Sequence, residues 1–485
     1  MGKHQPPLIA LLLVVSLATH GRGEEATVTP DPDSKTDKLV PGKSQTSLPR
    51  SFFKTAFRST IGSFVRHPIT TYRLGMATSH RRSATLLEDH LPALDPFALA
   101  HASPPPPGTG EFEGHLNKLG LPEPLPGELG YHLDGEAFFT AFEKELAAAR
   151  ESIDIQVYIL DNDDVGVHCA DLLRARAEEI PVRVIMDDLG STMAHGRKPP
   201  SGLPDGFKSP GDIGNYLVKG NSKVQLRETS NPWLVTDHTK LHLFDRRTAF
   251  IGGMNLGRES RHEWHDLMVS LRGPILSALS DDYDSTWKCN GPLGDLALFA
   301  RKQPLPDLDG PGIPLRILRT DVVHARSDIL IAMRQAIRGA KSRIWIEMPY
   351  FSSDVIENEL KSAASRGVDV RLILPDRANH EIMNAGNLVA ARNLMKAGVR
   401  VYHYPGMTHL KAMICDGWAT VGSANLDTIS LRINRELNVS FNDPNLVNEL
   451  SELVFEPDFQ ASRLLTPGET KLNFAPLIES IADQL

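Results

Sequence analysis

The sequence predicts an α/β protein of two similar halves, and three observations carry that prediction. A polar motif at 237–266 returns in altered form at 409–436, and an alternation of helical and strand patterns precedes each copy. At 485 residues the chain also exceeds one ordinary hydrophobic core, so more than one domain is expected. Hydrophobic content of 41% and charged content of 23% are those of a globular protein.

Lys3 precedes an apolar run from Leu8 to Ala18 (11 residues), which has the length of a signal-peptide core and is too short to span a bilayer. Ser16-Leu17-Ala18 supplies small residues for cleavage, so 1–23 reads as a signal peptide and the rest of the chain is expected to be exported. An uncleaved membrane anchor is the alternative. Residues 24–110 read as a Pro-rich linker interrupted by a basic segment. Within it Phe53, Phe57, Ile61 and Phe64 recur at helical spacing, and 50–87 holds seven Lys/Arg and no acid. Such a helix suits an anionic membrane surface; packing on the catalytic domains with its charges in water is the alternative.

The first of the two similar halves is placed at 130–298. Residues 134–152 form a helical pattern with Phe138, Phe142, Leu146 and Ala149 on one stripe, 153–160 a strand, 165–179 a helix and 182–188 a strand. That order implies a parallel pair. The Gly-, Pro- and Ser-rich segment 190–223 reads as a loop region over the site or a surface insertion. The second half, 315–470, repeats the order: helix 327–342, strand 343–351, helix 355–367, strand 368–375, helix 384–399 and a strand leading to the motif from 399. The Pro-rich stretch 301–314 links the two.

Each motif reads His-x-Lys, four residues, Asp, then a Gly-containing turn ending in Asn. The residues are His238, Lys240, Asp245, Gly252 and Asn255 in one copy and His409, Lys411, Asp416, Gly422 and Asn425 in the other. An acid follows at a similar distance, Asp266 in the first and Glu436 in the second. His238, Lys240 and His242 alternate with Thr239, Leu241 and Leu243, the period of a strand with two unlike faces, so imidazole and ammonium share a pocket wall. A fixed cation, an amide and an imidazole suit an anion with a tetrahedral transition state, for which phosphate is the commonest candidate.

This twin H-x-K-x4-D pattern with its G-x-x-N turns resembles the phospholipase D superfamily, and within it the bacterial cardiolipin synthases and related phosphatidyltransferases. DGEAFF (134–139), WHD (264–266), MPYF (348–351) and GSANLDTISLRINRELN (422–438) support the likeness, which covers roughly 130 to 470. The resemblance implies two α-β-α sandwich domains in an intrachain pseudo-twofold dimer, with the active site at the seam. It also implies a phosphohistidine formed on one histidine while the other protonates the leaving alcohol. Asp266 and Glu436 would orient the histidines, and Lys240, Lys411, Asn255 and Asn425 would hold the non-bridging oxygens. Asp245 and Asp416 match the motif and are given a structural or electrostatic role. The implied partners are a phospholipid substrate and a membrane surface, with no cofactor and no obligatory metal, at a bacterial periplasm or envelope.

Other classes are disfavoured. The net charge of −8 argues against a dedicated nucleic-acid binder, although a secreted endonuclease of the same superfamily is the alternative function. Three cysteines, Cys169, Cys289 and Cys415, are too few for a disulfide scaffold; Cys415 reads as core, and a bridge between the other two is open. His242, His262 and His265 are expected behind the site or at the surface, and Tyr158, Tyr350 and Phe351 at the pocket edge.

Overall fold

In a computed structural model the described residues are 57, 59–65, 67–90, 104–195, 201–292, 294, 304–308 and 310–470. The signal-peptide segment and most of the linker lie outside them. Among the described residues no helix is long and apolar enough to cross a membrane.

Among the described residues sixteen strands form one mixed sheet. In the first half these are β1 (Leu125–Leu133), β2 (Ile153–Val157), β3 (Val182–Asp187), β4 (Gln225–Thr229), β5 (Leu241–Phe244), β6 (Thr248–Gly252) and β7 (Leu267–Arg272). The second half contributes β8 (Ile313–Asp321), β9 (Arg326–Ser327), β10 (Arg343–Glu347), β11 (Asp369–Pro375), β12 (Arg400–Tyr404), β13 (Ala412–Cys415), β14 (Trp418–Gly422), β15 (Glu436–Phe441) and β16 (Arg463–Leu464). The spatial order β1-β7-β6-β5-β2-β3-β4 is matched by β8-β15-β14-β13-β10-β11-β12, and β1 joins β8 antiparallel. Each half therefore repeats the other about a pseudo-twofold axis.

β2 and β3 are buried along their whole length, as are most residues of β11, which is what parallel strands covered on both faces require. Both parallel pairs expected from the sequence are present, β2 with β3 and β10 with β11. Helices Asp134–Ala148 and Asp164–Arg176 cover the outer face of the first half through Phe138, Phe142, Leu146, Cys169 and Leu173. Helices Asp328–Gly339, Asp354–Ser365 and Glu381–Lys396 cover the second. Between the half-sheets lies a shared apolar layer. Leu241, Ile251, Ala412 and Val421 meet there with Leu279 and Tyr283 of helix Leu276–Cys289 and with Leu450 and Phe455.

Several details differ from the sequence reading. The 190–223 region carries two short helices, Asp188–Ala194 and Ile213–Val218, and leads to a third parallel strand, β4. Helix Gly110–Lys118 precedes the first half yet buries Phe112 and Leu116 in the core of the second, with Phe112 edge-on to Trp418. Phe351 is a core residue rather than a pocket-edge one. Cys169 and Cys415 are buried, and no disulfide joins the three cysteines.

Candidate active site

The motif strands begin later than their alternation predicts. β5 starts at Leu241 and β13 at Ala412, so His238, Lys240, His409 and Lys411 lie on the segments just before them. Those segments exchange their own sheet for the opposite half. The N–H of His238 donates to the carbonyl of Arg435 (2.9 Å) and that of His409 to the carbonyl of His265 (2.7 Å). The backbone itself stitches the halves together at the site.

The carboxylates are crossed in the same way. Glu436 of the second half accepts at Oε2 from Nδ1 of His238 (3.0 Å), and Asp266 of the first accepts at Oδ2 from Nδ1 of His409 (2.7 Å). Each pair fixes a tautomer and leaves Nε2 for chemistry. Ser423 Oγ donates to the same Glu436 oxygen (2.6 Å). At the equivalent turn Gly253 makes room instead, since a Cβ there would lie 2.2 Å from Asp266 Oδ1. The His238 side chain remains 12% exposed, whereas those of Asp266 and Glu436 are fully enclosed.

Lys240 and Lys411 are buried with them. Lys240 Nζ donates to the His238 carbonyl (2.8 Å), and Lys411 Nζ donates to the His409 carbonyl (2.6 Å) and sits 3.1 Å from both nitrogens of that ring. Burial, then Lys240 and Lys411, hold His238 well below the usual imidazole range; burial, then Lys411, lower His409 to about 3. Both lysines act on both rings, so the halves share one electrostatic field. Burial also lowers Lys240 to about 7 and Lys411 to about 8, and raises Glu436 to about 7 against the pull of Lys240. Two imidazoles held neutral beside two buried lysines whose charge burial disfavours make a site that an anion completes.

The remaining predicted residues divide. Asn255 accepts from the Ile159 N–H (3.2 Å), and Asn425 hydrogen-bonds Asp427; both are buried on the turns after β6 and β14. Asp245 and Asp416 are not gathered with the histidines. Asp245 accepts from the N–H groups of Arg150, Glu151 and Ser152, and Asp416 from those of Lys341, Ser342 and Arg343. Each caps the loop entering the first central strand of its half, with φ near +50°. Tyr158 packs edge-on against His238 (4.7 Å between ring centroids) and Tyr350 against His409 (6.4 Å). Trp264, given no role from sequence, lies 4.7 Å from the His409 ring; its place two residues before Asp266 was the available signal. His242 is enclosed between Phe138 and Phe142, and His262 faces Glu136 at the surface.

An enzyme whose single site is shared by two halves, each supplying one histidine and the other half's carboxylate, is of the phospholipase D type. The comparisons agree. Residues 142–287 and 333–456 match the family described as "Cardiolipin synthase, PLD-like domain". Cardiolipin synthase A of Pseudomonas entomophila is 29% identical over 379 residues, 73% of this chain and 74% of that one. Cardiolipin synthase A of Pseudomonas aeruginosa strain PAO1 is 31% identical over 350 residues, 70% of this chain and 68% of its own. Among solved structures, phosphatidylserine synthase of Haemophilus influenzae shares the fold (TM-score 0.56, 13% identity, 77% of this chain and 96% of that one). The chain belongs to the phospholipase D-like family of the cardiolipin synthases.

Proposed function

We propose that this protein is a phosphatidyltransferase acting on phospholipids through a phosphohistidine, with cardiolipin synthase-like chemistry. The crossed pairs His238–Glu436 and His409–Asp266 carry the reading. One Nε2 attacks phosphorus while the other imidazole, protonated, gives its proton to the departing alcohol. The second imidazole then takes the proton of the incoming alcohol, whose oxygen displaces the first histidine. Burial and the lysines keep both rings neutral in the empty site, so the nucleophile is ready; the phosphodiester anion supplies the negative charge that lets the other ring hold its proton. The two rings titrate as a coupled pair. Lys240 and Lys411, with Asn255 and Asn425, neutralise the non-bridging oxygens as charge develops. Asp245 and Asp416 set the loops of their half-sheets rather than touching substrate.

The lipid assignment is supported by the relatives and by the helical residues 57, 59–65 and Pro68–His90. That segment is amphipathic in an inverted sense. Its buried face is polar (Ser59, Ser63, Thr71 and Thr78), while Phe57, Ile61, Val65, Ile69, Tyr72 and Met76 are exposed. It is seated through Leu74 on Val235, Val322 and Ile433, and Trp233 donates to the Thr71 carbonyl (3.0 Å). An apolar outer row, in a chain whose residues 50–87 hold seven Lys/Arg and no acid, suits an anionic lipid surface. Export to a bacterial envelope is part of the same proposal.

Purified protein is incubated with phosphatidylglycerol vesicles and, separately, with single-stranded DNA. Cardiolipin or phosphatidic acid formed by wild type and abolished in His238→Ala and His409→Ala supports the reading. Nucleotide release without lipid turnover favours the secreted endonuclease. Sedimentation with anionic vesicles should fall at least tenfold in the Ile69→Asp/Tyr72→Asp variant, and undiminished binding refutes the docking surface.

A further inference from the structure

The pseudo-twofold sets His265 opposite Arg435, each the residue before the carboxylate that holds the other half's histidine. Each also lies on a parallel bridge across the seam, Arg435 with Asp237 and His265 with Thr408. Arg435 is enclosed by three acids, with contacts to Asp237 (3.3 Å), Asp321 (3.4 Å) and Asp282 (3.7 Å). His265 has a matching cage. Its Nδ1 faces Asp134 (2.7 Å), its Nε2 faces Asp458 (3.0 Å), and Glu347 stands in the same cluster. The ring stacks on Tyr404 at 4.7 Å and 10°. Asp134 belongs to the first half; Glu347, Asp458 and Tyr404 belong to the second.

Resting on the site reading above, we infer that His265 is a positioning residue: a permanently charged imidazolium that locks the two halves together and keeps Asp266 against His409, as the Arg435 guanidinium does for Glu436 and His238. Both ring nitrogens face a carboxylate, so both carry protons and neither lone pair is left for a metal, although His265, Glu347 and Asp458 bring ligand atoms within 4.8 Å of one another. Glu347 accepts from Thr408 Oγ1 (2.5 Å) at one oxygen, and no donor reaches the other among the described residues. Burial and the neighbouring Asp458 raise the Glu347 carboxyl well above the usual range, so a proton on this acid accounts for that oxygen. Against the desolvation that opposes it, the hydrogen bonds to Asp134 and Asp458 hold the His265 proton to about 11. Tyr404, raised to about 12 by burial first, adds no charge to the cage at neutral pH.

The coupling to the reaction runs through the backbone of this one residue. The His265 N–H donates to the Met407 carbonyl (3.0 Å), its carbonyl accepts from the His409 N–H, and Asp266 follows directly. Losing the cation leaves the buried Asp458 carboxylate beside Glu347 without its charged partner and frees this strand to shift. A displacement of about 1 Å at a reacting group is worth roughly 100-fold in rate.

His265→Gln and His265→Arg are compared with wild type on phosphatidylglycerol and on bis(4-nitrophenyl) phosphate, which reports phosphodiester cleavage without a lipid. The expected result is a kcat about 10- to 100-fold lower in the Gln variant with KM within about twofold, restored in the Arg variant to within a few-fold of wild type. In ¹⁵N-histidine-labelled wild type, the resonances missing from the variants should show both His265 nitrogens protonated up to pH 9. A neutral His265 ring at pH 8, an unimpaired Gln variant, or a folded Arg variant as slow as Gln would overturn the inference. So would about one divalent ion per chain in purified wild type that is lost in Glu347→Gln, a variant that mimics the protonated acid. If both variants fail to fold, Asp134→Asn, which alters only the exposed partner of Nδ1, identifies the His265 resonances by their shift, and a neutral ring there overturns the inference. Cleavage of the aryl diester with no lipid turnover would sink the lipid reading while leaving the His265 comparison intact.

Discussion

Replacing Asp266 by Asn tests the crossed architecture most directly. The carboxylate is fully buried and makes a 2.7 Å contact with His409 Nδ1, while its other oxygen accepts from the Leu267 N–H (2.8 Å). Asn keeps the shape and the acceptor for Leu267. It loses the charge that stabilises the imidazolium, and its NH₂ can face Nδ1 and select the wrong tautomer. A hydrogen bond to a charged group is worth about 1.5–3 kcal/mol, which at about 1.4 kcal/mol per decade is roughly 10- to 150-fold. An inverted tautomer extends the loss toward about 10⁴-fold. The expected result is kcat down by about 10²- to 10⁴-fold, KM within threefold and a melting temperature within a few degrees of wild type. Steady-state turnover of phosphatidylglycerol in mixed micelles, with thermal unfolding of the same samples, measures all three. A folded Asp266→Asn protein with kcat within threefold of wild type would refute the role given to this carboxylate.

Three further outcomes follow from neighbouring geometry. Gly253→Ala places a Cβ 2.2 Å from Asp266 Oδ1, so the carboxylate must retreat by about 1 Å; kcat should fall roughly 100-fold with little change in melting temperature, and an active variant would show that the carboxylate has slack. Asp245→Ala orphans the N–H groups of Arg150, Glu151 and Ser152 and puts Ala at φ +50°; denaturant unfolding should show a loss of about 2–4 kcal/mol with kcat per folded molecule nearly kept, and the reverse pattern would place Asp245 in the chemistry. Acid should destabilise the protein through His409, whose folded pKa is lowered from 6.5 to about 3. The unfolded chain protonates first, so stability present above pH 6.5 is lost as pH falls toward 3, at up to about 1.4 kcal/mol per pH unit. Glu436, raised to about 7, acts in the opposite sense between pH 4.5 and 7. His409→Asn should therefore flatten the fall in melting temperature between pH 6.5 and 4, and an unchanged slope would contradict the buried neutral ring.

Much of this molecule was legible in the sequence because it is written twice in local patterns. The apolar runs of β2, β3, β10 and β11, the stripe Phe138–Phe142–Leu146 and the two His-x-Lys units each depend on residues a few positions apart, where periodicity reports burial. β4 escaped because QLRET is a half-exposed polar strand with no apolar alternation, recruited by its neighbour rather than by its own composition. The inverted helix escaped because hydrophobic spacing tells which residues share a face, and only its seat on Val235, Val322 and Ile433 tells which face is inside. The crossing of the carboxylates was beyond any local pattern. Asp266 is 143 residues from His409 and Glu436 is 198 from His238, although each acid lies far closer in sequence to the histidine of its own half. Which histidine an acid serves is set by how the half-sheets close on their shared apolar layer, and burying that layer against water is a property of the assembled chain alone.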